Sequence, residues 1–168
     1  EAFATLEKVG AEALIVVGGD GTMLLTHQFA KGRIPVVGIP KTIDNDVHGT
    51  DYAIGFQTCI TTVTDALDKL HTTAESHHRI VLLEVMGRSA GWVALFAGIA
   101  GGADIILIPE RAYSIEQILD KVRQREARGS HFTIGVIAEG SAAPSGETVY
   151  REQHGGAHHW KLGGVCAS

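Results

Sequence analysis

The sequence is short of the features that would send it to a membrane, a nucleic acid or an oxidising compartment. No apolar run approaches the ~20 residues needed to cross a bilayer. The longest candidates, Leu14–Val17 and Ile105–Pro109, have the length of buried strands instead. Lys and Arg number 14 against 19 Asp and Glu, for a formal charge of −5. No basic cluster runs along the chain, so the electrostatic footprint of a nucleic-acid binder is missing. The two cysteines, Cys59 and Cys166, are far apart and in no CxxC spacing, as expected of free thiols in a reducing compartment. A soluble, cytoplasmic protein with no membrane partner is therefore expected. Glu1 opens the chain without Met and without a basic-then-apolar leader. Leu162–Ser168 carries small residues and Gly with no clear helix stop, so both ends are expected to be internal to a longer protein.

What is present is ordinary globular material: 168 residues, 45% hydrophobic and 20% charged, enough for one domain or for parts of two lobes. Short β-branched runs alternate with amphipathic stretches, the pattern of βα units around a parallel sheet. Strands are predicted at Ala13–Val17, Val36–Ile39, Ile80–Val85, Asp104–Ile108 and Thr133–Ala138, all read as buried. Helices are predicted at Thr22–Ala30, Thr58–His71, Ala90–Ala100 and Ser114–Arg128. Ser114 with Gln117 three residues on has the form of a capping box, and Gly129 that of a helix stop. A boundary near Gly55 divides the chain into 1–55 and 56–168. Corners rich in Gly or containing Pro follow several strands: Gly18–Gly21, Pro40–Gly49, Gly87–Gly91, Gly101–Gly102 and Glu139–Gly146. In open parallel sheets, ligands bind at such strand ends.

The first corner, Gly18-Gly19-Asp20-Gly21-Thr22, lies between a strand and a helix start. Glycines there let the backbone approach a phosphate, and the helix N-terminus favours its charge. Asp20 can hold Mg²⁺ against phosphate oxygens. A tight turn with Asp20 capping the helix is the other reading, and the string is also similar to NAD kinases and lipid kinases. The second corner, Pro40-Lys41-Thr42-Ile43-Asp44-Asn45-Asp46, packs two carboxylates, a hydroxyl and an amine into one loop. A hydroxyl nucleophile needs a positioned base, and Asp44 is the candidate. Two close carboxylates repel unless they share a cation or a proton, which gives Asp46 a role beside Mg²⁺. An Asx-rich turn that satisfies local N–H groups accounts for the same residues.

Arg88 in Met86-Gly87-Arg88 emerges after a strand, where a fixed cation can face a phosphate; a surface Arg at a helix start is the alternative. Arg79 precedes the same strand and Glu139 follows another. The nine histidines include the adjacent pairs His77–His78 and His158–His159, but no HExxH or Cys/His spacing, so they are read as incidental. Trp92 is read as a packing residue.

Taken together, GGDGT, PKTIDND, HGTDYAIGFQT, EVMGRSAGW and AGGAD resemble the 6-phosphofructokinase family in order and separation, from about Leu14 to about Glu139. The resemblance implies an α/β, parallel-sheet, Rossmann-like three-layer sandwich comprising parts of two lobes. Residues 1–55 would belong to the phosphate-donor lobe and 56–168 to the fructose 6-phosphate lobe. It implies Asp44 as catalytic base, Thr42 beside the transferring phosphoryl group, and Asp20 as the Mg²⁺ carboxylate. Gly18, Gly19, Gly21, Thr22 and Lys41 would contact the donor. Thr42, Ile43, Asp44, Met86, Gly87, Arg88 and Glu139 would contact the sugar phosphate, with Arg88 also catalytic. Arg79 would reach the 6-phosphate in a neighbouring subunit of a homo-oligomer, a homotetramer in the family.

Within this family Gly after GGD, here Gly21, goes with ATP, because Asp there would crowd and repel the α-phosphate. Lys41 is shared with pyrophosphate users and with a branch of ATP users. ATP is the expected donor and pyrophosphate the alternative. Leu25 stands where some ATP-dependent members carry Gly. The family's N-terminal GGDxxGxN and C-terminal LGHxQRGG segments are not in this chain, so a non-catalytic sugar-phosphate or nucleotide-binding fragment is the reading of another class.

Overall fold

The alternation of apolar runs and amphipathic stretches becomes an alternation of parallel strands and helices in the computed structural model, which describes residues 2–142, 150–152, 161–162 and 166. The order is α1 (Ala2–Lys8), β1 (Leu14–Gly18), α2 (Asp20–Ala30), β2 (Val36–Thr42), β3 (Ile54–Gly55), α3 (Phe56–His77), β4 (Ile80–Val85), α4 (Trp92–Ala100), β5 (Ile105–Leu107), α5 (Ile115–Ala127), β6 (Thr133–Ala138), β7 (Tyr150–Glu152) and β8 (Lys161–Leu162). The chain forms two compact units, Glu1–Gly55 and Phe56–Ser168. Among the described residues, no helix is long and apolar enough to cross a membrane.

In the first unit β1, β2 and β3 form a parallel sheet in that order, with Gly18 opposite Pro40 and Thr42 opposite Gly55. Strand periodicity sends Leu14, Val16, Val36 and Gly38 to the face that carries α2. There Met23 Sδ lies 2.7 Å from where a Gly38 Cβ would stand, so the missing side chain is what lets α2 pack. The strands were expected to be buried throughout, but Ile15, Val17 and Val37 on the opposite face are 72%, 55% and 60% exposed. A run of β-branched residues favours a strand whichever side is covered, so the pattern predicted the strand and overstated its burial.

The second unit is a three-layer sandwich. Its parallel sheet has the order β4-β6-β5, so β6 is central, and every residue of β6 is buried. Ile134, Val136 and Ala138 pack with Val85 and with Phe56, Ile60, Leu67, Val93, Ala94 and Ala97 of α3 and α4. Ile137 points the other way and joins Ile105, Leu107 and Val122 of α5. The helix α5 starts as expected: the Gln117 N–H donates to Ser114 Oγ and the Ser114 N–H donates to Gln117 Oε1, a complete capping box. Gly129 follows with φ +87°, in the left-handed region that favours glycine.

Several element boundaries differ from the sequence expectation. The strand β2 continues through Pro40 and Lys41 to Thr42, α2 begins two residues before Thr22, and α3 extends from Phe56 to His77. The short elements α1, β3, β7 and β8 were not anticipated.

Candidate active site

In the first unit, β1 and β2 are parallel neighbours, so their C-terminal ends lie side by side, and each ends in one of the two motifs. A Cβ on Gly19 would stand 3.4 Å from Thr42 Cβ, so the glycine corner and the PKTIDND loop meet at these residues. The helix α2 is capped by Gly19 with no side-chain cap bond; Asp20 is its first residue and exposed. Asp20 is therefore not the cap. The first N–H groups of such a helix lack intrahelical acceptors and suit an anion. A Cβ on Gly18 would come within 2.6 Å of the Thr22 side chain, so only glycine lets the helix turn back over the strand end. Gly21 is different: a Cβ there would meet nothing within 4 Å.

Asp44 is held half-buried by its own loop. Its N–H donates to Thr42 Oγ1 at 3.2 Å, and the Thr42 hydroxyl points toward Asp44 Oδ2 at 3.5 Å. Burial, and then the Asp46 charge, push the Asp44 carboxyl above the usual carboxylate range, while the Thr42 hydroxyl opposes them. Asp46 and Lys41 are exposed, and Ile43 is half-buried. The oxygen donors of Asp20 and Asp46 fit Mg²⁺, which binds through one or two carboxylates and leaves its remaining positions to waters and substrate phosphates. No group of three or more His, Cys, Asp or Glu among the described residues is placed to hold a metal by itself.

In the second unit, Val85 pairs with Ala138 at the ends of adjacent parallel strands, which sets Met86–Arg88 beside Glu139. The Glu139 N–H donates to the Val85 carbonyl at 2.8 Å and the Gly140 N–H to the Gly87 carbonyl at 3.0 Å. Gly87 has φ +151° and is buried; a Cβ there would stand 2.9 Å from the Ala90 carbonyl and 3.1 Å from Ala138 Cβ. A Cβ on Gly140 would fall on the Arg88 carbonyl. Past Arg88 the corner is held again where the Gly91 N–H donates to Glu110 Oε1 at 2.8 Å. Met86 and Arg88 are exposed above this locked backbone.

Arg79 is not part of that group. It precedes β4, whereas Arg88 follows it. Six residues of strand separate them, roughly 20 Å at about 3.3 Å per residue. Of the histidines, His71 Nε2 is 2.9 Å from the Gly101 carbonyl oxygen, and the His78 and His131 rings meet edge to face. His158 and His159 lie outside the described residues. Trp92 packs against Phe96 with ring centroids 5.9 Å apart.

Gly140 and Glu110 beside the site are given no role by the sequence, and Asn45, read there only as part of an Asx-rich turn satisfying local N–H groups, has a side chain that spans its loop. Asn45 stands inside the motif with a side chain able to donate and accept at once, but the backbone groups it meets are six and eight residues on and are brought to it only by β3.

Parallel strands with phosphate-compatible corners at their C-terminal ends define an α/β protein of Rossmann-like build. The family model for phosphofructokinase matches residues 1–159. The chain is 56% identical over 144 residues to ATP-dependent 6-phosphofructokinase 2 of Clostridium perfringens, covering 86% of this chain and 39% of that protein. It is 47% identical over 163 residues to the pyrophosphate–fructose 6-phosphate 1-phosphotransferase of Amycolatopsis methanolica, covering 96% of this chain and 48% of that protein. The T-state crystal structure of Pichia pastoris phosphofructokinase superposes with a TM-score of 0.73 at 30% identity, covering 80% of this chain and 17% of that one. The chain belongs to the phosphofructokinase family. It spans less than half the length of these curated relatives.

Proposed function

We propose that the full-length protein transfers the γ-phosphoryl group of ATP to the carbon-1 hydroxyl of fructose 6-phosphate, giving fructose 1,6-bisphosphate in glycolysis. The observation that carries this reading is Asp44: a half-buried carboxylate with raised proton affinity, braced by Thr42 at the end of a strand adjacent to the glycine corner. In the step, the hydroxyl oxygen forms a bond to the γ-phosphorus while the bond from that phosphorus to the β,γ-bridging oxygen breaks. ADP leaves with the electron pair, and the hydroxyl proton passes to Asp44. Mg²⁺, held by Asp20 and Asp46, would neutralise phosphate charge. Gly18, Gly19, Gly21, Thr22 and Lys41 take the donor phosphates, and Thr42 sits beside the group in transit. Ile43, Met86, Gly87, Arg88 and Glu139 take the sugar phosphate, with Arg88 stabilising charge as it develops.

The first unit is then the donor part and the second the sugar-phosphate part. A cytoplasmic homo-oligomer, in which Arg79 serves a neighbouring subunit, completes the proposal. ATP is favoured by Gly21, and the Clostridium perfringens relative at 56% identity is named for ATP. Pyrophosphate is the second reading, supported by Lys41 and by the name of the Amycolatopsis methanolica relative. The test is the purified full-length enzyme with fructose 6-phosphate, Mg²⁺ and each donor in turn, with fructose 1,6-bisphosphate measured directly. Turnover with ATP and little with pyrophosphate is expected. The reverse pattern would replace the donor, and no product with either would leave a sugar-phosphate or nucleotide binder.

A further inference from the structure

Between Thr42 and Ile54 the chain leaves the sheet and returns, since Lys41 and Thr42 of β2 pair with Ile54 and Gly55 of β3. The loop so closed carries both Asp44 and Asp46, and one side chain between them crosses it. Asn45 Oδ1 accepts from the Ala53 N–H at 2.7 Å, and Asn45 Nδ2 donates to the Asp51 carbonyl at 3.1 Å. Ala53 is 4% exposed and leads directly into β3, so the returning limb is anchored where Asn45 reaches it. The Asn45 backbone has φ +54°, in the left-handed region where Asn is tolerated far better than most side chains. Asparagine therefore meets two demands at once: a backbone turn between the two aspartates, and a donor and an acceptor on one planar group.

We infer that Asn45 is a positioning residue for Asp44: its side chain ties the outgoing limb of the loop to the limb anchored on β3, and so holds the Asp44 carboxylate where it can receive the hydroxyl proton. The inference rests on the assignment of Asp44 as base. Thr42, the last residue of β2, braces the Asp44 carboxylate from the outgoing side of the loop only. The Asn45 bonds refer the loop to the sheet. A displacement on the order of 1 Å in a reacting group can lower the rate about 100-fold, whereas substrate contacts made elsewhere are little affected.

The test is a double-mutant cycle in the full-length enzyme, combining Asn45→Gly with Asp44→Asn. Glycine keeps the left-handed turn and removes only the side-chain bonds. Asn45→Gly is expected to lower kcat about 10- to 100-fold with KM for both substrates within about threefold. In the Asp44→Asn background it should lower kcat less than about twofold further, because a base that is absent cannot be misplaced. Hydrogen–deuterium exchange over residues 45–55 should rise in Asn45→Gly alone and in the pair. Equal, multiplicative effects in the two backgrounds, or wild-type kcat in Asn45→Gly, would overturn the inference. A normal kcat in Asp44→Asn itself would instead remove the base assignment beneath it. Should Asn45→Gly fail to fold, Asn45→Ala, which removes the same side-chain bonds without adding a charge beside Asp44, provides the same cycle. Strict multiplicativity there would equally overturn the inference.

Discussion

The Gly140 N–H donates to the Gly87 carbonyl oxygen at 3.0 Å, and a Cβ on Gly140 would fall on the carbonyl of Arg88. Backbone meets backbone here, so no side chain can swing aside to make room. Gly140→Ala is therefore expected to push the Arg88 corner away from Glu139, raising KM for fructose 6-phosphate about 10-fold or more and costing about 1–3 kcal/mol of stability. Steady-state kinetics and urea denaturation of the full-length enzyme measure both. A normal KM in a destabilised variant would mean that the corner does not set the sugar-phosphate contact.

Gly21 presents the opposite case, since a Cβ there would meet nothing within 4 Å. Gly21→Asp should fold with an unchanged unfolding midpoint, and its effect should fall on the donor. A carboxylate beside a triphosphate is a like-charge contact that a water-poor site screens weakly. The expected result is at least a roughly 10-fold drop in kcat/KM for ATP, with pyrophosphate use falling less. Equal losses for the two donors would count against Gly21 as the donor selector.

Arg79 stands at the other end of β4 from Arg88 and is proposed to serve the substrate of a neighbouring subunit. Arg79→Ala is expected to raise KM for fructose 6-phosphate more than it lowers kcat. Hybrid oligomers of Arg79→Ala with Asp44→Asn should recover activity above that of either parent. Absence of recovery in mixed oligomers verified by mass would return Arg79 to its own subunit or to no substrate role.

Cys166 supplies a pH-dependent signal unconnected with turnover. Burial, and then the Glu84 carboxylate, whose Oε2 accepts the Cys166 N–H at 3.2 Å, push its thiol up to about 11. The folded state holds this proton more tightly than the unfolded state, so the associated stability is present below the thiol's ordinary value of 9.0 and is lost as pH rises through about 11. Alkylation of Cys166 by iodoacetamide, followed by peptide mass spectrometry, should stay slow at pH 8 and accelerate only toward pH 11. Rapid labelling at pH 8 would show an ordinary thiol.

The second unit was the more legible in the sequence, and the reason is physical. Thr133–Ala138 lies between turn signals and forms β6, buried on both faces, the condition under which such a run has one reading. Ile80–Val85, interrupted by Glu84, instead forms β4 with Ile80 53% and Leu82 38% exposed. In the first unit the same residue types gave strands with an exposed face, because composition does not record which element covers a sheet. Within the site, Asp44, Thr42 and the glycine corner were legible because their chemistry is local. Asn45, Gly140 and Glu110 act through partners 6 to 52 residues away in sequence: Asp51 and Ala53 for Asn45, Arg88 for Gly140, and Gly91 for Glu110. Only the closing of β3 on β2, and of β6 on β4, brings those partners near.

Whether Asp44 accepts the proton of the attacking hydroxyl is measured most directly by turnover of full-length Asp44→Asn at saturating ATP, Mg²⁺ and fructose 6-phosphate. Asparagine keeps the size and the backbone donor to Thr42 but cannot take a proton at neutral pH. A base acts only as the bond forms, so kcat should fall about 10²- to 10⁴-fold while the dissociation constant for fructose 6-phosphate, measured by calorimetry, stays within a few-fold. A kcat within a few-fold of the parent enzyme would contradict the claim.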